Sequence, residues 1–116
     1  MSIKPLIQLP TKKGFEIISP EDIISISSDD KTICIVLDGG RKHLINMPIS
    51  KAESILSQPY MVRCHQRHII NLLKIKEIIN RNSILVFLNG HQIPISRSYK
   101  KTIKNALDAF CEKLHA

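Results

Sequence analysis

The sequence predicts a mainly β domain of antiparallel sheets packed face to face, with a short middle helix and a C-terminal helix. Three observations predict it. Short apolar runs rich in β-branched residues recur along most of the 116 residues, each closed by turn residues. The apolar period becomes helical in only two places, after Ser50 and from Tyr99. Strands and helices do not alternate as a parallel βαβ sheet requires.

Residues 1–12, with Pro5 and Pro10, read as a leader that pairs as an edge strand around Ile3 to Leu9, and residues 13–116 form the domain. Strand runs follow at Phe15–Ile18, Ile23–Ser27, Thr32–Leu37 and Lys42–Met47. Ser19-Pro20-Glu21-Asp22 and Ser28-Asp29-Asp30-Lys31 break them. Asp38-Gly39-Gly40 is a hairpin signal, because glycine accepts the positive φ of a tight turn. Ser50-Lys51-Ala52-Glu53 fits a capping box with Ser50 as N-cap; Ala52, Ile55 and Leu56 supply an apolar stripe, and Gln58-Pro59 ends the helix. Strands return at Met61–Cys64, Ile69–Leu72, Ile75–Ile79, Ile84–Leu88 and Gln92–Ile95, with turns at Asn80-Arg81-Asn82 and Asn89-Gly90. In the last helix Tyr99, Ile103, Ala106, Leu107, Phe110 and Leu114 share one face, expected to be core.

The net charge of +7 is unevenly spread. Residues 1–53 carry seven Lys/Arg against seven Asp/Glu, whereas residues 54–107 carry nine against Glu77 alone. An excess confined to one half points to a polyanion, nucleic acid first and an anionic membrane surface second. Arg97, Lys100 and Lys101 cluster at a helix start, where a helix's own unpaired N–H groups favour anions. With Ser96 and Ser98 they make a receptor for phosphate oxygens. Aromatic residues make up only 4% and tryptophan is absent, which argues against a platform for stacking single strands and favours duplex DNA.

Arg97 suits bidentate contact with guanine, and Gln66 with adenine. Arg63, Arg67, Lys100, Lys101 and Lys104 suit phosphates. A catalytic reading finds no nucleophile with a base and no phosphate-cradling glycine loop, so no enzyme is expected. In Cys64-His65-Gln66-Arg67-His68 a thiol and two histidines suggest zinc, but no second cluster completes four ligands, so no metal or other cofactor is expected. His65 reads as a packing histidine and His68 as half-buried. Three cysteines without CxxC spacing suit reduced thiols, and Met1 to Gln8 is too short an apolar run for a secretory signal, so the cytoplasm is the default. Cys34 and Cys111 are expected in the core. Cys64, beside Arg63, is expected to be structural, with a thiol of lowered pKa as the alternative.

The run Tyr60-Met61-Val62-Arg63-Cys64-His65-Gln66-Arg67-His68-Ile69-Ile70-Asn71-Leu72 resembles the F-x-R-x-H-R-S-Y-x-V-N-L stretch of LytTR-type DNA-binding domains. Ile75-x-x-Ile78, Asn89-Gly90 and Ile93-Pro94-Ile95-Ser96-Arg97-Ser98-Tyr99-Lys100-Lys101 agree with its later I-P-V-S-R-x-Y-x-K, and Glu21-Asp22-Ile23-Ile24-Ser25-Ile26 with its x-D-I-x-Y-I opening. The resemblance covers roughly residues 12–110. It implies an elongated domain of three antiparallel β-layers, whose loops enter successive major grooves of duplex DNA. Those loops map to Asp30-Lys31-Thr32, Cys64–Arg67 and Ser96–Lys101, which adds Lys31 and Thr32 to Arg97 and Gln66 as base readers. Gln66 stands where the family often has arginine, Arg67 where it has serine and His68 where it has an aromatic, so the family's sequence preference does not carry over. Such domains usually follow a receiver or sensor domain, for which 116 residues leave no room. A stand-alone transcription regulator or an excised output domain is therefore expected, as a homodimer on direct repeats or under a regulatory or inhibitory protein partner, with no small-molecule substrate. The alternative is a basic module that binds proteins or anionic membranes.

Overall fold

Adjacent isoleucines at Ile23-Ile24 and Ile69-Ile70 cannot share one face of a strand, since successive side chains point to opposite sides. They therefore call for a sheet buried on both faces. The structure, a computed structural model, describes residues 6–114 and contains such a sheet at its centre.

The chain runs β1 (Ile7–Thr11), β2 (Gly14–Ile18), β3 (Ile23–Asp29), β4 (Thr32–Leu37), β5 (Lys42–Asn46), α1 (Ile49–Ile55), β6 (Met61–His65), β7 (His68–Asn71), β8 (Ile75–Ile79), β9 (Ile84–Phe87), β10 (Gln92–Pro94) and α2 (Lys100–Phe110). Three antiparallel sheets result: β1-β2, a central β5-β4-β3-β7-β6, and β10-β9-β8. Ile26, Ile33, Ile35, Leu37, Ile45 and Ile69 pack one face of the central sheet against Leu9 and Ile18 of the first hairpin and Ile49 and Ala52 of α1. Ile24, Cys64 and Ile70 pack the other face against Leu85, Phe87 and Ile93 of the third sheet and Ile103 of α2. The mainly β, three-layer architecture is the one expected. With extents of 52 × 39 × 25 Å, it is also elongated.

Two β-bulges adapt the central sheet to its two cores. The register of β3 against β4 shifts between Ile23 and Ser25, which lets Ile24 face the second core although Ile26 faces the first. The register of β6 against β7 shifts between Arg63 and His65, so Cys64 has no ladder partner on β7. Its main chain is free to bond elsewhere.

Asn71 is fully buried and polar. Its Nδ2 donates to the carbonyls of Glu21 (3.1 Å) and Ile23 (2.8 Å), and its Oδ1 accepts from the N–H of Leu73 (2.8 Å). This amide satisfies three main-chain groups where β3, β7 and the turn after β7 meet, as a buried polar side chain must.

Several expectations need correction. The first strand lies at Ile7–Thr11 and pairs with β2, burying Leu9, while the leader from Ile3 to Pro5 lies outside the described residues. Ser50 is not an N-cap: α1 begins at Ile49 behind Pro48 with no side-chain cap, because burying Ile49 pulls the start forward. Glu53 turns to Arg63 instead, and Ile55 is exposed. Helix α2 ends at Phe110, leaving Phe110 and Leu114 exposed, since the second core reaches only as far as Leu107. Cys111, past that end, is exposed, and Cys34 is only partly buried on the outer part of the central sheet.

Candidate nucleic-acid interface

Strands β6 and β7 are joined by the two-residue turn Gln66-Arg67, with both side chains exposed. The turn is held from within by Arg63. Its Nε donates to the carbonyl of His65 (3.0 Å), one terminal nitrogen donates to the carbonyl of Gln66, and the other pairs with Glu53 of α1 (3.0 Å). A guanidinium has five donors in a rigid fork, so one side chain can fix two consecutive carbonyls and lean on a carboxylate. The N–H of Arg67 donates to Nδ1 of His65 (3.1 Å). The ring of His68 lies 5.2 Å from that of His65, and its own Nδ1 is buried without a hydrogen-bond partner. Burial, with smaller coulombic contributions from His65, His91 and Arg67, pushes the His68 imidazole below its ordinary pKa. Cys64, in the same strand, is fully buried, and desolvation pushes its thiol up to about 12 despite the Arg63 charge. The lowered-pKa alternative is overturned and the structural reading holds.

The second segment is Ile95 to Lys101. The N–H of Ile95 donates to the carbonyl of Ser83 (2.8 Å), and the N–H of Ser96 donates to the carbonyl of Cys64 (3.0 Å) that the bulge had left free. These two residues therefore stitch the third sheet to the central one. Arg97, Ser98 and Tyr99 form a single tight turn, and α2 starts at Lys100 with no side-chain cap and no acidic residue in its first turn. Tyr99 packs on the second core, and Arg97, Ser98, Lys100, Lys101 and Lys104 are exposed.

The third segment is the β3–β4 turn, Asp30-Lys31, where Asp30 takes a φ of 59°. It is tied to the first because the N–H of Ser28 donates to the carbonyl of Arg67 (2.9 Å). Lys31 is exposed at the tip, while the Thr32 hydroxyl donates to Oδ1 of Asn46 (3.1 Å) on β5.

Main-chain bonds thus bring the three sequence-predicted segments to one rim: Lys31 and Thr32, Gln66 and Arg67, and Ser96 to Lys101. Arg41 pairs with Glu16, Lys74 with Asp38, Lys113 with Asp108 and Arg63 with Glu53. Lys31, Arg67, Arg97, Lys100, Lys101 and Lys104 have no carboxylate partner among the described residues. What the sequence did not reveal is the inward direction of Arg63, for its partner Glu53 is on another element and no local spacing links the two.

Comparison with known proteins bears on the family and the fold. The LytTr DNA-binding domain family model matches residues 13–108. The chain is 29% identical over 94 residues to the sensory transduction protein LytT of Enterococcus faecalis, covering 78% of this chain and 38% of that protein. It is 27% identical over 90 residues to the transcriptional regulatory protein BtsR of Escherichia coli, covering 75% and 36%. It is also 28% identical over 105 residues to the sensory transduction protein LytR of Streptococcus agalactiae, covering 88% and 42%. The chain therefore spans about two fifths of the length of these relatives. Its fold superposes with a TM-score of 0.77 on the solved LytTr DNA-binding domain of a methyl-accepting/DNA response regulator from Bacillus cereus, at 23% identity and covering 90% of this chain and 97% of that one. With that family model matching residues 13–108, most of its length, the chain belongs to the LytTR family of DNA-binding domains.

Proposed function

We propose that this domain reads duplex DNA by sequence and serves transcription regulation, inserting the tips of its rim into the major groove. The observation that carries the reading is the gathering of exposed Lys31, Arg67, Arg97, Lys100, Lys101 and Lys104 on main-chain-bonded segments with no carboxylate partner among the described residues. Arg97 and Gln66, on neighbouring main-chain-bonded segments, read base edges, with Lys31 and Thr32 reading beside them from the next turn. Arg67, Ser96, Ser98, Lys100, Lys101 and Lys104 hold phosphates, aided by the uncapped N–H groups at the start of α2. Arg63 belongs to this set by sequence, but its fork is already engaged by two carbonyls and Glu53, and it acts by shaping the turn that carries Gln66 and Arg67. The relation to a transcriptional regulatory protein supports the regulatory part. Binding as a homodimer on direct repeats and control by a protein partner complete the proposal, with no catalytic step and no small-molecule substrate.

The test is a gel-shift titration across salt with duplexes selected from a random pool. Apparent affinity falls by about 0.9 log unit per log unit of salt for each phosphate contacted. Arg97→Ala loses roughly 1–3 kcal/mol on the selected sequence and relaxes preference at one position, whereas Lys100→Ala weakens all sequences alike. Equal affinity for selected and random duplex, or binding to anionic vesicles in preference to duplex, would refute the reading.

A further inference from the structure

The rim does not end at Ile95. The carbonyl that accepts the Ile95 N–H belongs to Ser83, the last residue of the β8–β9 turn, so that turn is the next neighbour of the Ser96-Arg97 segment. Its three preceding residues, Asn80, Arg81 and Asn82, all lie in the left-handed region, with φ of 57°, 56° and 63°. Asparagine tolerates that region, but arginine has no such aptitude. The turn closes as a left-handed loop in which the N–H of Ser83 donates to the carbonyl of Ile79 (3.2 Å). Arg81 stands at its apex, exposed and without a carboxylate partner among the described residues. A residue ill-suited to the backbone that it occupies points to a use for its side chain.

Distance decides what that use is. From the end of β6, which carries the Gln66 turn, through Ser96 to Ser83 there are two hydrogen-bonded neighbour steps, which at about 4.8 Å each span about 10 Å. With the Gln66 turn over the middle of a major groove about 12 Å wide, that exceeds the roughly 6 Å from the middle to either wall. When Gln66 and Arg97 sit in the groove, a tip at the far end of the rim lies over the groove wall, where the sugar-phosphate backbone runs. Resting on the DNA-binding reading above, we infer that the Asn80-Arg81-Asn82 turn is a further DNA contact, in which the Arg81 guanidinium grips a backbone phosphate flanking the bases read by Arg97. The amides of Asn80 and Asn82 are placed on either side as supplementary donors.

A phosphate contact is independent of sequence, so the probe is a long mixed-sequence duplex titrated across salt, alongside the selected duplex. Arg81→Asn removes the charge and keeps a residue at ease with positive φ, which circular dichroism and thermal unfolding confirm as folded. Its salt slope falls by about 0.9 and its affinity at 0.1 M salt by about eightfold, equally on both duplexes. Arg81→Lys restores most of the slope. On duplexes carrying single neutral methylphosphonates, one position beyond the Arg97 contact weakens the wild type and leaves Arg81→Asn unaffected. Duplex binding that depends on Arg97 but is unchanged in slope and affinity by Arg81→Asn would overturn this contact alone. No duplex binding by the wild type would overturn the underlying reading and this one with it.

Discussion

Arg63→Ala tests whether a residue that touches no base governs how bases are read. The substitution removes the donors to the carbonyls of His65 and Gln66 and to the Glu53 carboxylate. The pair with Glu53, whose side chain is 47% exposed, is worth only about 0.2–1 kcal/mol. Bonds from a charged donor to a carbonyl are worth about 1.5–3 kcal/mol each, and the lower figure applies because the freed carbonyls of a surface turn regain water. The sum is about 3 kcal/mol. With an unfolding entropy of about 2.1 cal/mol/K per residue, a chain of 116 residues loses roughly 12 °C in Tm. Urea unfolding followed by far-UV circular dichroism measures the stability, with Glu53→Ala, expected to lose less than about 1 kcal/mol, as comparison. Arg63→Lys keeps the charge without the fork and recovers only a minor part. In gel shifts Arg63→Ala narrows the gap between selected and random duplexes. An Arg63→Ala loss no larger than that of Glu53→Ala would refute the role given to the two carbonyl bonds.

Phe87, with no exposed surface and central to the second core, loses about 3–5 kcal/mol on truncation to alanine, read as a lower urea midpoint; a loss under about 1 kcal/mol would contradict its packing. Iodoacetamide at mildly alkaline pH labels Cys111 fast in the folded protein and leaves Cys64 untouched until urea is added, because the latter is buried and its thiol is pushed up to about 12; mass spectrometry reads the order. His68 makes stability depend on pH with a definite sign. Its folded pKa is below the ordinary value of 6.5, so between the two the unfolded chain binds more protons and stability rises with pH. That stability is present above 6.5 and is lost as pH falls through the folded value. His68→Gln flattens this dependence of the urea midpoint, and an unchanged profile would show that burial of the ring is not its cause.

Period and turn chemistry made most strands legible. Asp38-Gly39-Gly40 and Asn89-Gly90 mark hairpins because their glycines take φ between 82° and 86°, which no β-branched residue would accept. The rim segments were legible for a different reason, as motif and charge excess both fell on Arg63–Arg67 and Ser96–Lys101. What escaped was whatever depends on partners distant in the chain. Ser50 and Glu53 satisfy a local capping rule, yet Ile49 gains more by burial and Glu53 by meeting Arg63, so tertiary contacts displaced the local preference. Phe110 and Leu114 continue a helical stripe beyond the end of the core, and periodicity carries no information about where a core stops. Asn80-Arg81-Asn82 was visible as a turn, but its left-handed geometry was not, since residues other than glycine rarely adopt it three times in succession.

The stitching at Ile95-Ser96 has a consequence for how such a domain diverges. The bonds that align its tips, from Ser28 to Arg67, from Ser96 to Cys64 and from Ile95 to Ser83, join main-chain atoms only. They are indifferent to the side chains mounted on them. On the proposed reading, exchanging Gln66 or Arg97 for another polar residue would alter which bases are met while leaving the spacing of the tips unaltered. Inserting a single residue between Pro94 and Arg97 would shift every later contact by one position. On that reading the frame would let new operator sequences arise by substitution while resisting changes in length, separating the part of the molecule that can vary from the part that sets the scale.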